Sequence, residues 1–365
     1  MSAPFEYVFP CIRGMQARNE YYVSMCPMRL IPKIFLFNEE ELVPELRAQR
    51  FLNKSRLPEM SRYMLENRKS YVFSAITASI DGEVKFESIG SGENGKRIGL
   101  LHVPMSAQFI INDGQHRRAA IEMAIREEPE LADESIAVVF FLDKGLKRCQ
   151  QMFADLNRYA IRPSKSLGVL YDHRDELAEL ARTVAFKSDA FKGVVEMERS
   201  TLSPRASRLF TLSSIYNANS ALLSNVESNS FEKKVEIAIA FWNEVAKHIN
   251  EWQLVKERKI TSGDIRRDYI HSHAVVLQAI GYVGNSLLKN GIKNWKSNIK
   301  KLENIDWSRS NAKLWEGRAM IGGKVSKAHH NVTLTTNAIK KHIGISLSPD
   351  EYRVEEAFNR GDYDR

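Results

Sequence analysis

Cysteine is scarce in this 365-residue chain: Cys11, Cys26 and Cys149 stand far apart, an odd number with no Cys-x-x-Cys pair. That spacing argues against a disulfide framework and against a cysteine zinc site, and it points to a reducing compartment. Long apolar runs are absent too, and none reaches the roughly 20 residues needed to cross a bilayer. The opening stretch, MSAPFEYVFPCIRG, lacks the basic segment and apolar core of a secretion signal. The expected location is therefore the cytoplasm, with no membrane contact. No internal repeat or low-complexity tract stands out. The one glycine-rich stretch, SGENG at 91–95, lacks the lysine and spacing of a Walker A motif, so any nucleotide is held by other means than a P-loop.

What is present is an ordinary folded composition, 43% hydrophobic and 27% charged, with length for two domains that each bury a core. The net charge of +8 is unevenly spread. Residues 241–345 hold 18 Lys+Arg against 8 Asp+Glu, a net of +10, and the last twenty hold 6 acids against 3 arginines, a net of −3. A basic region suits a polyanion, because neutralising phosphates releases counterions. A solvated surface tuned for solubility fits the same numbers.

The first 160 residues alternate strand-like and helical patterns. Strands are expected at 20–25, 71–80, 84–89, 97–103, around Ile110-Ile111 and at 136–142. Helices are expected at 39–53, at 55–67 with Ser55 as N-cap, from Arg117 to Glu128, and at 145–159. After about residue 165 the strand patterns stop. Apolar residues at helical spacing (Val235, Ile239, Trp242, Ala246, Ile249) mark a long helix over 232–258, a second covers 269–288, and helical pieces run to about 343. The expected architecture is an α/β domain with a mixed sheet (1–165), a basic α-helical domain (166–345) and an acidic tail (346–365).

One junction gathers unusual chemistry. In QFIINDGQHRRAAIEMAIREE (108–128) a buried-strand pattern breaks at Asn112-Asp113-Gly114 and becomes helical. A helix N-terminus offers free N–H donors and about half a positive charge, which suits an anion. Gly114 permits a tight turn or close ligand approach, Arg117 and Arg118 offer bidentate forks, and His116 can donate to phosphate or move a proton. Asp113 is a candidate helix cap or, less directly, a metal ligand. A capped basic helix start with exposed arginines accounts for the same residue types.

The run Asp113-Gly114-Gln115-His116-Arg117 resembles the signature of the DGQHR-domain proteins, a match that average residue usage would produce about once in ten thousand chains of this length. CIRGMQARNEYYVSMCPMRLI is similar to that family's opening strand. LRAQRFLNKSRLPEMSRYMLENRKSYVFSAITASIDG is similar to its arginine-asparagine helix region, and FADLNRYAIRPSKSLGVLYDHRD to the segment after its core. Over about residues 5–215 the chain resembles the DndB family, associated with bacterial phosphorothioate (sulfur) modification of DNA. The resemblance implies a core distantly similar to the ParB/sulfiredoxin fold, in which a Gly-x-x-Arg turn contacts nucleotide or polyphosphate. By matching positions Gly114 and Arg117 face the phosphate, with Gln115, His116 and Arg118 beside them. It also implies a DNA-binding negative regulator of the modification operon, whose partners are promoter DNA and other sulfur-modification proteins. The alternative it carries is an ATP-dependent nicking enzyme using Asp113 and His116, with ATP as candidate cofactor. An assembly factor is a third reading. The oligomeric state stays open, a homo-oligomer included.

Further contacts to DNA are expected from Arg50 and Asn53 (with Arg56 at the same spacing), and from Asn157, Arg158, Arg162 and Lys165 in a helix end and loop where Tyr159 offers a stacking face. Arg205, Arg208 and Ser213-Ser214 flank a pattern that fits a helix-turn-helix or, more simply, a helical connector. His271 and His273 lie two residues apart, about 200° around a helix, and so do not share a metal readily; His329-His330 is the other pair, and no metal is expected at either. The cysteines lack an activating neighbourhood, so sulfur transfer by this chain is not expected.

Overall fold

The computed structural model describes residues 5–35, 54–142, 146–158, 163–226, 230–289 and 294–362, without the side chains of 146–149 and 157. The chain falls into two units, Met1–Ile161 and Arg162–Arg365.

In the first unit, seven strands form one mixed sheet: β1 (Glu6–Gln16), β2 (Asn19–Pro27), β3 (Ile76–Asp81), β4 (Lys85–Ser88), β5 (Ile98–Pro104), β6 (Gln108–Asp113) and β7 (Ser135–Leu142). Their order is β4-β5-β1-β2-β7-β3-β6, and only the β3–β7 pair is parallel. Helices α1 (Ile31–Ile34), α2 (Leu57–Glu66) and α3 (Gln115–Glu127) cover the sheet, and α4 (Leu146–Arg158) follows β7. Alternation explains the core: Phe9, Cys11, Tyr22, Cys26, Leu101, Val103, Ile136, Val138 and Phe140 are buried, together with Met64, Ile121 and Ala124 of the helices. Each fully buried large side chain contributes about 1.5–3 kcal/mol. The intervening Val8, Ile12, Met25 and Ile98 stay exposed.

The second unit is helical: α5 (Lys165–Tyr171), α6 (Glu176–Lys187), α7 (Leu212–Leu223), α8 (Phe231–Lys247), α9 (Asn250–Lys256), α10 (Ser262–Asp268), α11 (Ala274–Lys289), α12 (Trp295–Lys300), α13 (Ala312–Trp315), α14 (His329–Ile343) and α15 (Pro349–Arg360). Its centre is the pairing of α7 with α11. A side chain on Gly281 of α11 would lie 2.4 Å from the Ala218 carbonyl, so glycine sets how closely these helices approach. Trp242, Trp252 and Trp315 fill the surrounding core. The indole of Trp242 donates to Asn219 Oδ1 and that of Trp252 to His271 Nδ1, each at 3.0 Å.

Several elements depart from expectation. Strand β1 carries Pro10, which lacks a ladder donor, and Gly14, so it has no clean strand signal although it sits between β5 and β2. The strand expected at 71–80 starts at Ile76. Ser55 does not cap: Lys54–Arg56 is a 3-10 turn, and helix α2 begins at Leu57 with proline in its first turn. The helix expected over 232–258 breaks at His248-Ile249, where Ile249 leaves helical dihedrals and is buried. The helix expected from 269 starts at Ala274. Strands do persist beyond 165, as two short pairs, Val195–Glu196 with Phe210–Thr211 and Met320–Ile321 with Lys324–Val325. Helix expected at 39–53 lies outside the described residues.

Candidate functional site

Among the described residues, strand β6 lies at the sheet edge and pairs only with β3. Thr77 faces Asp113 while Ala78 faces Ile111, so Asn112 is the extra residue of a β-bulge just before the turn. Bulges bend a strand and re-aim a side chain. Asn112 is buried, and its amide donates to Ser79 Oγ at 2.7 Å and to Met152 Sδ at 3.0 Å. Its Oδ1 has no partner among the described residues.

Gly114 then takes φ +109°, the left-handed region that side chains disfavour. A Cβ there would also press on the Arg117 guanidinium and on Ile76, at 3.0 and 3.1 Å. Gly114 is the N-cap of α3 and has no side chain with which to cap it. The first-turn N–H groups therefore lie outside the intrahelical ladder, which begins with Arg118 N–H donating to the Gly114 carbonyl at 2.9 Å. The cap expected of Asp113 is not made. Its carboxylate instead accepts from Arg117 Nη2 at 2.7 Å, one turn ahead, and the same nitrogen donates to the Ala75 carbonyl at 3.0 Å.

The two adjacent arginines separate. Arg118 is buried: its Nε donates to the Phe35 carbonyl at 3.0 Å, Nη2 to the Pro32 carbonyl at 3.2 Å, and Nη1 to Glu122. It ties the start of α3 to the end of α1. Arg117 is partly exposed, and its Nε meets no acceptor among the described residues. Gln115 is buried and His116 half-buried in the first turn. Asp113, Gly114, Gln115, His116 and Arg117 thus form one helix start beside which Arg117 Nε and Asn112 Oδ1 meet no partner among the described residues. Asn112 was missed as a site residue; its signal was a polar amide ending an apolar run.

Few of the other expected contacts fall among the described residues. Arg50, Asn53 and Arg162 lie outside the described residues, as does the Asn157 side chain. Arg158 is exposed at the last position of α4. Lys165 opens α5 in the second unit, where it donates to Asn217 Oδ1 at 2.7 Å and lies 5.3 Å from the Tyr216 ring centroid. The connector reading of 203–223 holds for the helix: α7 is a core helix with a Thr211–Ser214 capping box. His271 is fully buried as the acceptor of Trp252, and His273 Nε2 lies 2.9 Å from the Arg266 carbonyl. Burial pushes the thiols of Cys11 and Cys26 up to about 11, which suppresses thiolate chemistry at neutral pH. No helix among the described residues is long and apolar enough to cross a membrane.

Among families, the one described as DndB, DNA-sulfur modification-associated, matches residues 9–346. No curated protein matches the chain. No solved structure matches it.

Proposed function

The chain belongs to the DndB family of DNA-sulfur modification-associated proteins, and from that premise we propose that it acts as a DNA-binding negative regulator of the modification operon. The start of α3 after Gly114 is the phosphate contact in this reading, a Gly-x-x-Arg turn of the ParB/sulfiredoxin kind. One observation carries it: Arg117, whose Nε meets no acceptor among the described residues, stands in the first turn of α3 beside a glycine that no side chain can replace without strain. Arg117 and His116 face the phosphate, and Arg118 holds the helix in place. The positive charge of residues 241–345 adds a long-range field.

The test compares the operon's own promoter with random duplex DNA across a salt series. A regulator binds its promoter at least about a thousandfold more tightly, since base contacts add to phosphate contacts, and its affinity falls steeply as salt rises. Equal affinity for both duplexes, or no binding at low salt, removes this reading. The ATP-dependent nicking alternative is weaker, because the Asp113 carboxylate is already engaged by Arg117 and must release it to act as a base or metal ligand. Turnover of ATP or nicking of supercoiled DNA by the purified protein, lost in Asp113→Asn, would reverse that preference. Contact with other sulfur-modification proteins belongs to the same proposal and is tested by co-purification with them.

A further inference from the structure

The second unit contains a cleft of about 990 Å3, bounded by the loop 200–211, by α10 and by the start of α11. Its size lies at the upper end of small-ligand pockets, roughly 300–1,000 Å3. Four arginines line it, Arg205, Arg266, Arg267 and Arg309, against one carboxylate, Asp264.

These cations divide by what holds them. Arg266 is a positioning residue: burial lowers its pKa, and its Nη2 donates to the carbonyls of Ser203, Pro204 and Ala206 at 2.8, 3.2 and 3.1 Å. Its Nη1 donates to the Arg208 carbonyl. One guanidinium thus fixes the whole loop that carries Arg205. Arg267 is paired with Asp264 and Asp268, at 2.9 and 2.8 Å, which also neutralises the cleft's only carboxylate. Arg309 donates to the carbonyls of Arg267 and Gly323 and has no carboxylate within ion-pair distance among the described residues. Arg205, exposed on its fixed loop, has neither an ion pair nor a hydrogen bond among the described residues.

At the cleft wall α11 begins. Its ladder starts with Val276 and Leu277 N–H donating to the His273 carbonyl, at 3.0 Å each, so the N–H groups of Ala274 and Val275 fall outside it. No acid stands in its first turn. Ser272, 5% exposed, lines the cleft beside them, and its hydroxyl has no partner among the described residues. A buried hydroxyl left unmatched is uncommon and calls for an explanation. A bound acceptor supplies one.

We propose that this cleft is a second anion site, distinct from the Gly114 turn, which takes a phosphate-bearing ligand of about nucleotide size. The phosphate sits at the start of α11 against Ser272 and the first-turn N–H groups, Arg205 and Arg309 supply the counter-charge, and the apolar wall at Leu209 and Phe210 meets the rest of the ligand. The ligand is either a free nucleotide or the terminal phosphorylated nucleotide of a DNA strand.

Titration calorimetry of the full chain with a nucleoside monophosphate, with inorganic phosphate and with a short single strand bearing a terminal phosphate tests this. Saturable binding of the nucleotide or of the strand, tighter than inorganic phosphate, is expected, and whichever of the two binds identifies the source. Arg205→Ala should weaken it about tenfold or more, the loss of one charge-assisted contact, with partial recovery in Arg205→Lys. Ser272→Ala should weaken it several-fold while leaving the unligated melting temperature unchanged or slightly raised, because no internal bond is lost. Arg117→Ala should leave it intact. No saturable binding, binding indifferent to both Arg205→Ala and Ser272→Ala, or binding abolished by Arg117→Ala alone would each overturn the site; if Arg205→Ala unfolds the protein, Ser272→Ala decides.

Discussion

In the helical unit Arg318 meets Glu355 through both terminal nitrogens, at 2.9 and 2.7 Å, and Lys341 completes the carboxylate at 2.6 Å. In the sheet unit Arg117 divides one nitrogen between Asp113 and the Ala75 carbonyl and leaves Nε unmatched. The first arrangement is closed: both terminal nitrogens of Arg318 meet carboxylate oxygens, Glu355 is buried, and Lys341 adds a third donor. The second is open. Composition cannot distinguish them, since both are arginines near carboxylates. The same contrast revises the meaning of the basic region. Adding the acidic end to the +10 of residues 241–345 leaves +7 for 241–365, and the acids of α15 meet Arg318, Lys340 and Lys341 directly. Part of the apparent DNA-facing charge is therefore internal structure.

The strongest way to break the comparison is to remove Glu355. Arg318, 12% exposed, would be left buried without its partner, and losing one member of such a pair costs about 3–5 kcal/mol. Glu355→Ala should lower the denaturation midpoint sharply. The acid dependence follows the same carboxylate. Burial alone would raise its pKa, but hydrogen bonds from Arg318 and Lys341 outweigh burial and hold it at about 2, below the ordinary 4.5. A depressed carboxylate stabilises fully above its unfolded value, and that contribution fades as pH falls from 4.5 toward 2. Denaturant melts of wild type and Glu355→Gln should therefore converge in that window; parallel curves down to the lowest pH would show that the pair is not the stabilising group.

Next in size is Gly114→Ala. A left-handed backbone forced on alanine costs on the order of 1–3 kcal/mol, and the added methyl presses on Arg117. Both stability and DNA affinity should fall. A variant that binds promoter DNA as well as wild type would detach the turn from the phosphate reading.

Legibility followed the same division. Strands β2, β5 and β7 were readable because one face is buried and their apolar residues recur at every second position. Strand β1 was not, because Pro10 and Gly14 argue locally against a strand that its neighbours on both sides impose. The break between α8 and α9 carries no glycine or proline; burial of Ile249 decides it, and that is a tertiary fact. At the site, glycine at 114 was legible as a turn and the arginines as candidate anion ligands. Which arginine is open was not, because the fate of Arg118 depends on carbonyls at Pro32 and Phe35, more than 80 residues away. The cleft at α11 was missed because its arginines come from three separated segments, 205, 266–267 and 309.

Arg117→Ala is the third test. It removes one bond to the Ala75 carbonyl and one partly exposed ion pair, so stability should fall by only about 1 kcal/mol. Promoter affinity should fall about tenfold or more, with a smaller salt slope because one phosphate contact is gone. Unfolding instead of weaker binding would make the junction structural.

The smallest expected effect on stability separates the two functional readings most cleanly. The Asp113 carboxylate is 45% exposed, caps nothing, and holds Arg117 through a single nitrogen. Exposed pairs of this kind contribute about 0–1 kcal/mol, so Asp113→Asn should leave the thermal midpoint nearly unchanged. What changes is competition. In wild type an incoming phosphate must share Arg117 with a resident carboxylate; in Asp113→Asn the site keeps an acceptor of similar shape without its negative charge. If the junction holds DNA phosphate, promoter affinity should rise several-fold and its salt dependence steepen, since a like charge beside the phosphate has gone. If Asp113 is instead a general base or metal ligand, the same substitution should abolish turnover while binding changes little. Affinity and ATP turnover measured side by side on this one variant therefore separate the two readings: the first raises affinity, the second abolishes turnover. A drop in affinity with no turnover in either protein would exclude both, and would place the DNA contact outside the turn.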